Sequence, residues 1–365
     1  MREGQPLHPV SRTHLDVLTD DVGVMQHAIG PRPDPAHGYC TDDVARSLQV
    51  DLLHQRELGW HAVEDSAWRS LRFLQDAFDE TAGRFRNFRR TDGVWIDAVG
   101  SEDSHGRAML ALGETIATAP DARMSDAAGS LFSRGLPGAL GLHALRAQSS
   151  VLLGCEAALR RAPSEPAELA VGLLATRLTT MFASRPWPDW RWPEPRLTYE
   201  NALPARALIV AGRYLDSRSI IDTGLEVLDW LIVEQTATDG WLSPVGNTWW
   251  PRAGEKPQFD QQPIEATALL LAAESAYRAT KDGRYRTAME QAYGWFLGAN
   301  DLGIPIAVPE DGASHDALTP RGVNANQGAE STLMWLIASE HIRAMRAERS
   351  PRPAATGPHL AGASR

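Results

Sequence analysis

The sequence is poor in cysteine. Cys40 and Cys155 are the only two cysteines among 365 residues, and both lie in apolar or helix-like surroundings. Two cysteines cannot build a disulfide framework, and their spacing matches no metal-binding pattern. We expect two free thiols in a reducing compartment. The sequence also lacks HExxH or any comparable ligand spacing, so it predicts neither a metal site nor a cofactor.

Positive charge is scarce as well. The chain has 36 Lys and Arg against 46 Asp and Glu, which gives a formal net charge of -10 at pH 7. Nucleic acids and anionic membranes bind clustered basic side chains, so neither is expected as a main partner. No apolar run approaches the roughly 20 residues that cross a bilayer, and residues 1–9 contain no signal-peptide core. The expected location is the cytoplasm.

Strand-like alternation is nearly absent, and at most short stretches such as residues 304–308 could pair locally. Instead, apolar residues recur at i, i+3, i+4 and i+7 along most of the chain, which is typical of helices. This periodicity predicts about twelve helices. They are expected at residues 13–28, 42–57, 63–79, 103–118, 122–134, 139–160, 166–183, 200–215, 218–235, 262–280, 284–298 and 327–345.

The predicted helices are of two alternating kinds. One kind begins at a polar block and continues into small apolar residues, as in A-T-A-L-L-L-A-A at 266–273, which is typical of a buried helix. The other kind is amphipathic and ends in a loop rich in Asp, Gly and Trp; D-E-T-A-G-R-F (79–85) and T-A-T-D-G-W (236–241) resemble each other as a weak repeat. This alternation predicts an all-α, single-domain (α/α)6 toroid over residues 1–345. Residues 346–365, rich in Pro, Ala and Gly, are expected to form a disordered tail.

Five polar blocks stand at the starts of the buried helices. They are H-G-Y-C-T-D-D (37–43), S-E-D-S-H-G-R (101–107), T-Y-E-N-A (198–202), F-D-Q-Q-P-I-E-A (259–266) and N-A-N-Q-G-A-E-S (324–331). In a toroid these helix starts open on one face of the ring, so their side chains gather in one pocket. An open α-solenoid is the alternative architecture, but it gives no reason to place acids and amides at the same end of every inner helix.

These blocks and one tryptophan-rich loop supply the candidate substrate-binding residues. They are His37, Asp42, Asp43, Glu102, His105, Arg107, Tyr199, Glu200, Trp249, Gln261, Gln262, Gln327 and Glu330. Each block alone also fits an ordinary helix start, because Asp and Ser cap helices and acids are favoured in the first turn. The five blocks together favour a hydroxyl-rich ligand, which needs many fixed carboxylates and amides.

Three acids carry more specific expectations. If Asp42 caps its helix, Asp43 can point into the ring, and Arg46 one turn later can pair with either acid. Asp260 suits a cap position. Glu265 lies about one turn inside an otherwise apolar helix, where it needs a partner or its pKa must rise.

Tryptophans in the loops can either stack on a sugar ring or fill gaps between helix ends. The sequence leaves both roles open for Trp187, Trp190, Trp192, Trp241, Trp249 and Trp250.

The five blocks resemble those of the six-hairpin glycosidase superfamily, and above all the helical domains fused to, or encoded near, bacterial glycosyltransferases and mannoside-processing enzymes. The chain has no Gly-rich nucleotide-sugar domain, so any transferase activity would belong to a neighbouring protein. The resemblance implies an oligosaccharide or glycoside substrate that two carboxyl groups cleave, commonly with inversion. On this basis we expect Asp103, with Glu265 or Asp260, to supply the catalytic acid and base.

Two alternatives stay open. A sugar 2-epimerase or isomerase on the same ring would need histidines as acid and base, and His37, His105 and His315 are available. A non-catalytic glycan-binding partner of a glycosyltransferase would need the pocket but no turnover. The sequence predicts neither the sugar and linkage nor the oligomeric state.

Overall fold

The computed structural model describes residues 5–348. Within this range the chain forms twelve α-helices, which alternate between an inner and an outer ring. The inner helices are α2 (Thr41–Leu58), α4 (Glu102–Thr118), α6 (Leu145–Leu159), α8 (Leu203–Tyr214), α10 (Pro263–Thr280) and α12 (Ala329–Ala347). The outer helices are α1 (Thr13–Leu18), α3 (Glu64–Ala77), α5 (Ala122–Ala139), α7 (Glu165–Ala183), α9 (Arg218–Glu234) and α11 (Gly283–Phe296).

The inner helices form a closed ring. Each contacts the next in the order α2, α4, α6, α8, α10 and α12, and α12 returns to contact α2. The helices α3, α5, α7, α9 and α11 pack on their preceding inner helix, and α1 packs on α12. Closure of the ring confirms the predicted (α/α)6 toroid and excludes the open solenoid.

The strands are short and local. Six antiparallel pairs of two-residue strands decorate the loops of the described chain. The pairs are Ala28–Ile29 with Arg32–Pro33, Tyr39–Cys40 with Phe88–Arg89, Phe78–Asp79 with Arg84–Phe85, Arg196–Leu197 with Trp250–Pro251, Ala307–Val308 with Ala313–Ser314, and Leu318–Thr319 with Gly322–Val323. A single 3-10 turn, Trp60–Ala62, joins α2 to α3.

The inner helices are buried nearly all round, as their composition predicts. In α10 the buried face includes Ile264, Ala266, Leu270 and Ala273, because neighbours flank the helix and α11 covers its back. Between α4 and α6 the backbones approach so closely that a Cβ on Gly113 would lie 2.0 Å from the carbonyl oxygen of Gly154. Glycine is therefore required at this crossing.

Several predicted boundaries differ from the structure. Helix α1 ends at Leu18, although Val24 and Ala28 beyond it are buried; apolar residues in a packed loop continue the pattern without continuing the helix. Helix α6 begins at Leu145 rather than near 139, because residues 140–144 form the turn after α5. Helix α12 continues to Ala347, two residues beyond the predicted domain end. The rest of the predicted tail, 349–365, lies outside the described residues.

Cys40 and Cys155 are buried free thiols, as predicted. Among residues 5–348, no helix combines the length and the apolar character needed to span a bilayer.

Candidate active site

The starts of the inner helices meet at one face of the ring, around a cavity of about 490 Å³ that we call the mouth cavity. The inner helices α4, α10 and α12, the segments just before α6 and α8, and the α9–α10 loop contribute to its wall. The lining residues are Ser101, Glu102, Asp103, Arg107, Ala144, Tyr199, Asn247, Trp249, Gln262, Ile264 and Glu330. Side chains separated by more than two hundred residues therefore share one cavity, as the placement of the polar blocks predicts.

Local sequence places these helix starts. Ser101 caps α4 by accepting a hydrogen bond from the Ser104 amide at 3.0 Å, which puts Glu102 and Asp103 in the first turn. Pro263 occupies the first position of α10, where its missing N–H costs nothing. Two expected caps are wrong: Cys40, not Asp42, is the N-cap of α2, and Gln262, not Asp260, is that of α10.

Arg107 joins the blocks of α2, α4 and α8. Its Nη1 lies 3.0 Å from Asp42 Oδ1, and its Nη2 lies 2.8 Å from Glu200 Oε2. Burial alone would lower the pKa of Arg107, but the carboxylates of Glu200 and Asp42 raise it well above its ordinary value. Because both guanidinium ends already have partners, Arg107 holds the wall together rather than offering a free cation to a ligand.

Arg46 makes a second set of ion pairs. Its Nη1 lies 3.0 Å from Asp43 Oδ1 and 2.9 Å from Glu330 Oε2, so the expected pairing of Arg46 with an α2 acid is confirmed. Burial raises the pKa of Asp43 to about 6, although Arg46 opposes the shift. The side chain of Glu330 is 41% exposed, so this acid reaches the mouth cavity while Asp43 stays beneath it. We call the pairs of Arg46 and Arg107 the ion-pair layer.

Asp103 is held by a tyrosine. The Tyr199 hydroxyl donates a hydrogen bond to Asp103 Oδ2. The pKa of Tyr199 is raised by burial and by the Asp103 carboxylate, so Tyr199 stays a donor. The guanidinium of Arg146 lies 4.5 Å from the centroid of the Tyr199 ring and donates to the Tyr199 carbonyl. These contacts fix the direction of an acid that lines the cavity.

Glu265 is buried behind the cavity wall. Its Oε2 accepts a hydrogen bond from Asn201 Nδ2 at 2.9 Å, and its Oε1 has no partner among residues 5–348. Burial raises the pKa of Glu265 to about 7, because the Asn201 hydrogen bonds and Arg146 compensate only in part. Glu265 therefore has both a partner and a raised pKa, the two alternatives that the sequence left open. The neighbours Ile264 and Gln262 line the cavity, whereas Glu265 does not.

Glu102 also helps to build the wall. Its Oε2 accepts hydrogen bonds from the backbone amides of His143 at 2.8 Å and Ala144 at 2.6 Å. These amides precede or begin α6, so Glu102 caps that helix from its neighbour. One carboxylate oxygen is thereby engaged before any ligand binds.

The tryptophans divide between the two roles that the sequence leaves open. Trp190 and Trp192 are buried and fill gaps between helix ends. Trp249 is 40% exposed and lines the mouth cavity. Its backbone is left-handed, with φ 63°, as is that of Glu200, with φ 48°. Non-glycine residues in this region are strained and cluster at functional sites, and both of these belong to the site.

His105 does not reach the cavity. It is fully buried, and its Nε2 lies 3.1 Å from the Gly135 carbonyl oxygen on α5. Burial lowers its pKa to about 3. The reason is geometric: His105 follows Asp103 by two residues, about 200° around the helix, so an inward Asp103 directs His105 outward. The expectation that His105 binds substrate is thus not supported.

Other predicted site residues also lie away from the cavity. Gln261 is buried, and its Oε1 accepts a hydrogen bond from Trp295 Nε1 at 2.9 Å. Gln327 is buried, with its backbone oxygen 2.9 Å from His14 Nε2. Asp260 and His37 are exposed outside the cavity lining.

The sequence reasoning missed Asn247 and Asn201. Asn247 lines the cavity from the α9–α10 loop, two residues before Trp249, which was the available signal. Asn201 stands in the quoted T-Y-E-N-A block but orients Glu265 instead of facing the cavity. Within the described chain, no cluster of three or more His, Cys, Asp or Glu side chains is arranged to hold a metal ion.

No family model and no curated protein matches the sequence. Solved structures do. D-mannose isomerase superposes with a TM-score of 0.69 at 10% identity, covering 91% of this chain and 95% of that one. Cellobiose 2-epimerase from Spirochaeta thermophila superposes with a TM-score of 0.66 at 15% identity, covering 90% of this chain and 92% of that one. A GH76 α-mannanase from Bacteroides thetaiotaomicron superposes with a TM-score of 0.61 at 9% identity, covering 86% of this chain and 88% of that one.

The chain shares the (α/α)6 toroid fold of these structures. The matched structures are carbohydrate-active enzymes of different reaction types, and identities of 15% or less establish the shared fold alone. The reaction must therefore be argued from the side chains of the mouth cavity. The predicted association with a glycosyltransferase stays a prediction.

Proposed function

We propose that this protein is a glycoside hydrolase that cleaves an oligosaccharide or glycoside in the mouth cavity. One observation carries the proposal: Asp103 of α4 and Glu330 of α12 line the same cavity from two separate helices. Two carboxyl groups facing one glycosidic bond are the usual equipment of glycosidases. Trp249 offers an exposed ring for the apolar face of a sugar, and Asn247 and Gln262 offer amides for hydroxyl groups.

We assign the two acids different roles. Glu330 Oε2 lies 2.9 Å from Arg46 Nη1, and we assign Glu330 as the base that takes a proton from water. Asp103, positioned by Tyr199, would donate its proton to the leaving oxygen as the glycosidic C–O bond breaks and the C–O bond to water forms. Attack from the opposite face inverts the anomeric centre.

This assignment keeps Asp103 from the sequence-based expectation and replaces its partner. Asp260 is exposed outside the cavity, so it cannot reach a bond held against Asp103. Glu265 is buried behind the wall, where it supports Asn201 and the loop that carries Tyr199. Glu330, expected only to bind substrate, takes the place of both.

A sugar 2-epimerase is the second candidate. D-mannose isomerase and cellobiose 2-epimerase share the fold over most of this chain, which favours it. Against it, no histidine lines the mouth cavity in the part of the chain that the structure describes, and His105 is inaccessible. A carbonyl-centred proton transfer would have to use carboxylates instead.

The test is release of reducing sugar from a panel of α- and β-linked manno- and gluco-oligosaccharides. Asp103→Asn and Glu330→Gln should each lower kcat by about 100-fold or more. Asp260→Asn is the matched control, because it alters an equally charged side chain outside the cavity, and should retain activity. Turnover that survives both Asp103→Asn and Glu330→Gln would overturn the proposal. Binding without turnover across the panel would favour a non-catalytic glycan-binding role.

A further inference from the structure

A second cavity, of about 590 Å³, lies on the ring axis on the other side of the ion-pair layer. All six inner helices line it, from Arg46 and Arg107 at one end to Arg213 and Ala344 near the helix C-termini. We call it the axial cavity. Arg107 lines both cavities, so the ion-pair layer is the partition between them. The mechanism proposed above does not use the axial cavity.

Basic side chains outnumber acidic ones below the partition. The basic residues there are Arg56, Arg160, Arg206, Arg213 and Arg278, and the acidic ones are Glu114, Glu156 and Glu274. The whole chain has a net charge of -10, so this local excess of arginine runs against the overall balance. His341 adds a further nitrogen base to the wall.

The acids of the axial cavity already have partners. Glu274 lies 2.6 Å from His341 Nδ1 and 2.8 Å from Arg278 Nη2. Glu156 lies 3.6 Å from Arg160. Glu114 accepts a hydrogen bond from Gln49 at 2.8 Å, and its other oxygen is 4.0 Å from Arg206. The acids therefore do not neutralise the remaining guanidinium groups at short range.

Three arginines remain available. Arg206 has only the 4.0 Å approach to Glu114 and a buried Nε without a hydrogen-bond partner among residues 5–348. Arg56 and Arg213 are exposed and form no ion pair with any residue from 5 to 348. Arg206 and Arg213 stand seven residues apart on α8, hence on the same helix face. Arg56 belongs to α2, which lies across the ring from α8. Guanidinium groups thus approach the cavity from opposite sides.

Compensation of helix dipoles explains only part of this arrangement. Arg56 and Arg213 lie in the last turns of their helices, where cations are favoured without any ligand. Arg206 lies in the first turn of α8, where the dipole disfavours a cation. Its buried Nε has no hydrogen-bond acceptor among residues 5–348, so it is free to donate to a bound ligand.

We propose that the axial cavity binds a small phosphate monoester, such as a hexose phosphate. Guanidinium groups bind phosphate oxygens in paired hydrogen bonds, and a cavity of about 590 Å³ is within the usual size of a small-molecule site. Ser150, Thr267 and Ser275 also line it and supply hydroxyls for the sugar part. This site is separate from the mouth cavity and does not depend on the proposed hydrolysis.

Calorimetric titration with glucose 6-phosphate, inorganic phosphate and glucose tests the proposal. Glucose 6-phosphate should bind once per chain, and Arg206→Gln and Arg213→Gln should each weaken it about tenfold or more. Arg218→Gln, which removes an exposed arginine of α9, is the matched control and should bind as the wild type does. Asp103→Asn should abolish turnover but leave this binding unchanged, so the two proposals can fail separately.

Inorganic phosphate that binds with the same dependence on Arg206 and Arg213 would also support the site. Glucose binding as tightly as glucose 6-phosphate would overturn the proposal, since the phosphate would then contribute nothing. Absence of binding at millimolar concentration, or binding unaffected by both substitutions, would overturn it too. Circular dichroism of each variant verifies folding, and Arg213→Gln, on an exposed side chain, tests the site if Arg206→Gln does not fold.

Discussion

Replacing Arg107 tests whether the ion-pair layer holds the ring together. Arg107→Met removes the shared partner of Asp42 and Glu200, whose side chains are only 15% and 16% exposed. Breaking a buried ion pair from one side costs about 3–5 kcal/mol, because the remaining charges stay poorly solvated. The partial exposure of both acids places the expected loss near the lower end, at about 3 kcal/mol.

This loss converts into a measurable shift in Tm. Unfolding entropy of about 2.1 cal/mol/K per residue gives about 0.7 kcal/mol/K for roughly 340 residues, so Tm should fall by about 4 °C. Differential scanning calorimetry measures it. The matched control, Arg218→Met, breaks an exposed pair with Asp222 and should cost less than about 1 kcal/mol.

A triple variant isolates the cause. Combining Arg107→Met with Asp42→Asn and Glu200→Gln removes the uncompensated charges, so much of the lost stability should return. If Arg107→Met leaves Tm unchanged, the layer contributes nothing to the stability of the ring. If the triple variant is no more stable than Arg107→Met alone, unpaired charge is not the reason for the loss.

Three further predictions concern stacking on Trp249, the buried Glu265, and the close packing of α4 against α6 at Gly113. Trp249→Ala should raise KM about tenfold with kcat little changed, since a lost stacking contact is worth about 1 kcal/mol beyond its buried area. Trp187→Ala, outside the cavity lining, should leave KM unchanged. Equal effects of the two substitutions on KM would contradict stacking of the sugar on Trp249. The folded protein keeps the proton on Glu265 up to about pH 7, while the unfolded chain releases it near pH 4.5. Raising the pH through this window should therefore destabilise the wild type by about 3 kcal/mol relative to Glu265→Gln. Parallel curves of Tm against pH for the two proteins from pH 5 to 8 would refute the raised pKa. Gly113→Ala should destabilise the protein strongly, because the new Cβ would lie 2.0 Å from a backbone oxygen of α6. Gly172→Ala, on α7 with open space around it, is the control and should stabilise the protein by up to about 1 kcal/mol. Urea denaturation that ranks the two variants in the opposite order would show that α4 and α6 are not closely packed at this crossing.

The fold could be predicted because its signal is repeated. Five of the six inner helices start at a polar block, and helices that are buried on most sides need an outer layer to cover them. The ends of the helices were harder to predict. Val24 and Ala28, for example, are buried in a loop and extend the apolar pattern past Leu18, where α1 ends. Periodicity reports burial, and burial does not require a helix.

The site could be predicted as a region but not residue by residue. The blocks predicted that their side chains gather at one face of the ring, and Asp103, Trp249 and Glu330 line the cavity there. Side-chain direction within a block depends on helix phase, which turned His105 away. It also depends on loop conformation, which buried Gln261 against Trp295. Helix phase and loop conformation cannot be predicted from the sequence until the first residue of each helix is known.

The partners of the acids required the structure for another reason. The Tyr199 hydroxyl contacts Asp103 across 96 residues of sequence, and Arg46 contacts Glu330 across 284. No local pattern encodes contacts between separate hairpins, so the sequence could not indicate Glu330, rather than Glu265, as the second carboxylate that we propose.

Proton NMR of the reaction in D2O, followed from the first minutes, tests the central claim most directly. Carboxylate-driven hydrolysis with inversion predicts a new reducing sugar that first appears as the anomer opposite to the substrate linkage, with no deuterium at its C2. It also predicts that Asp103→Asn and Glu330→Gln abolish this signal. An unchanged glycosidic bond together with an epimerised, C2-deuterated reducing sugar would contradict the account and assign the mouth cavity to epimerisation.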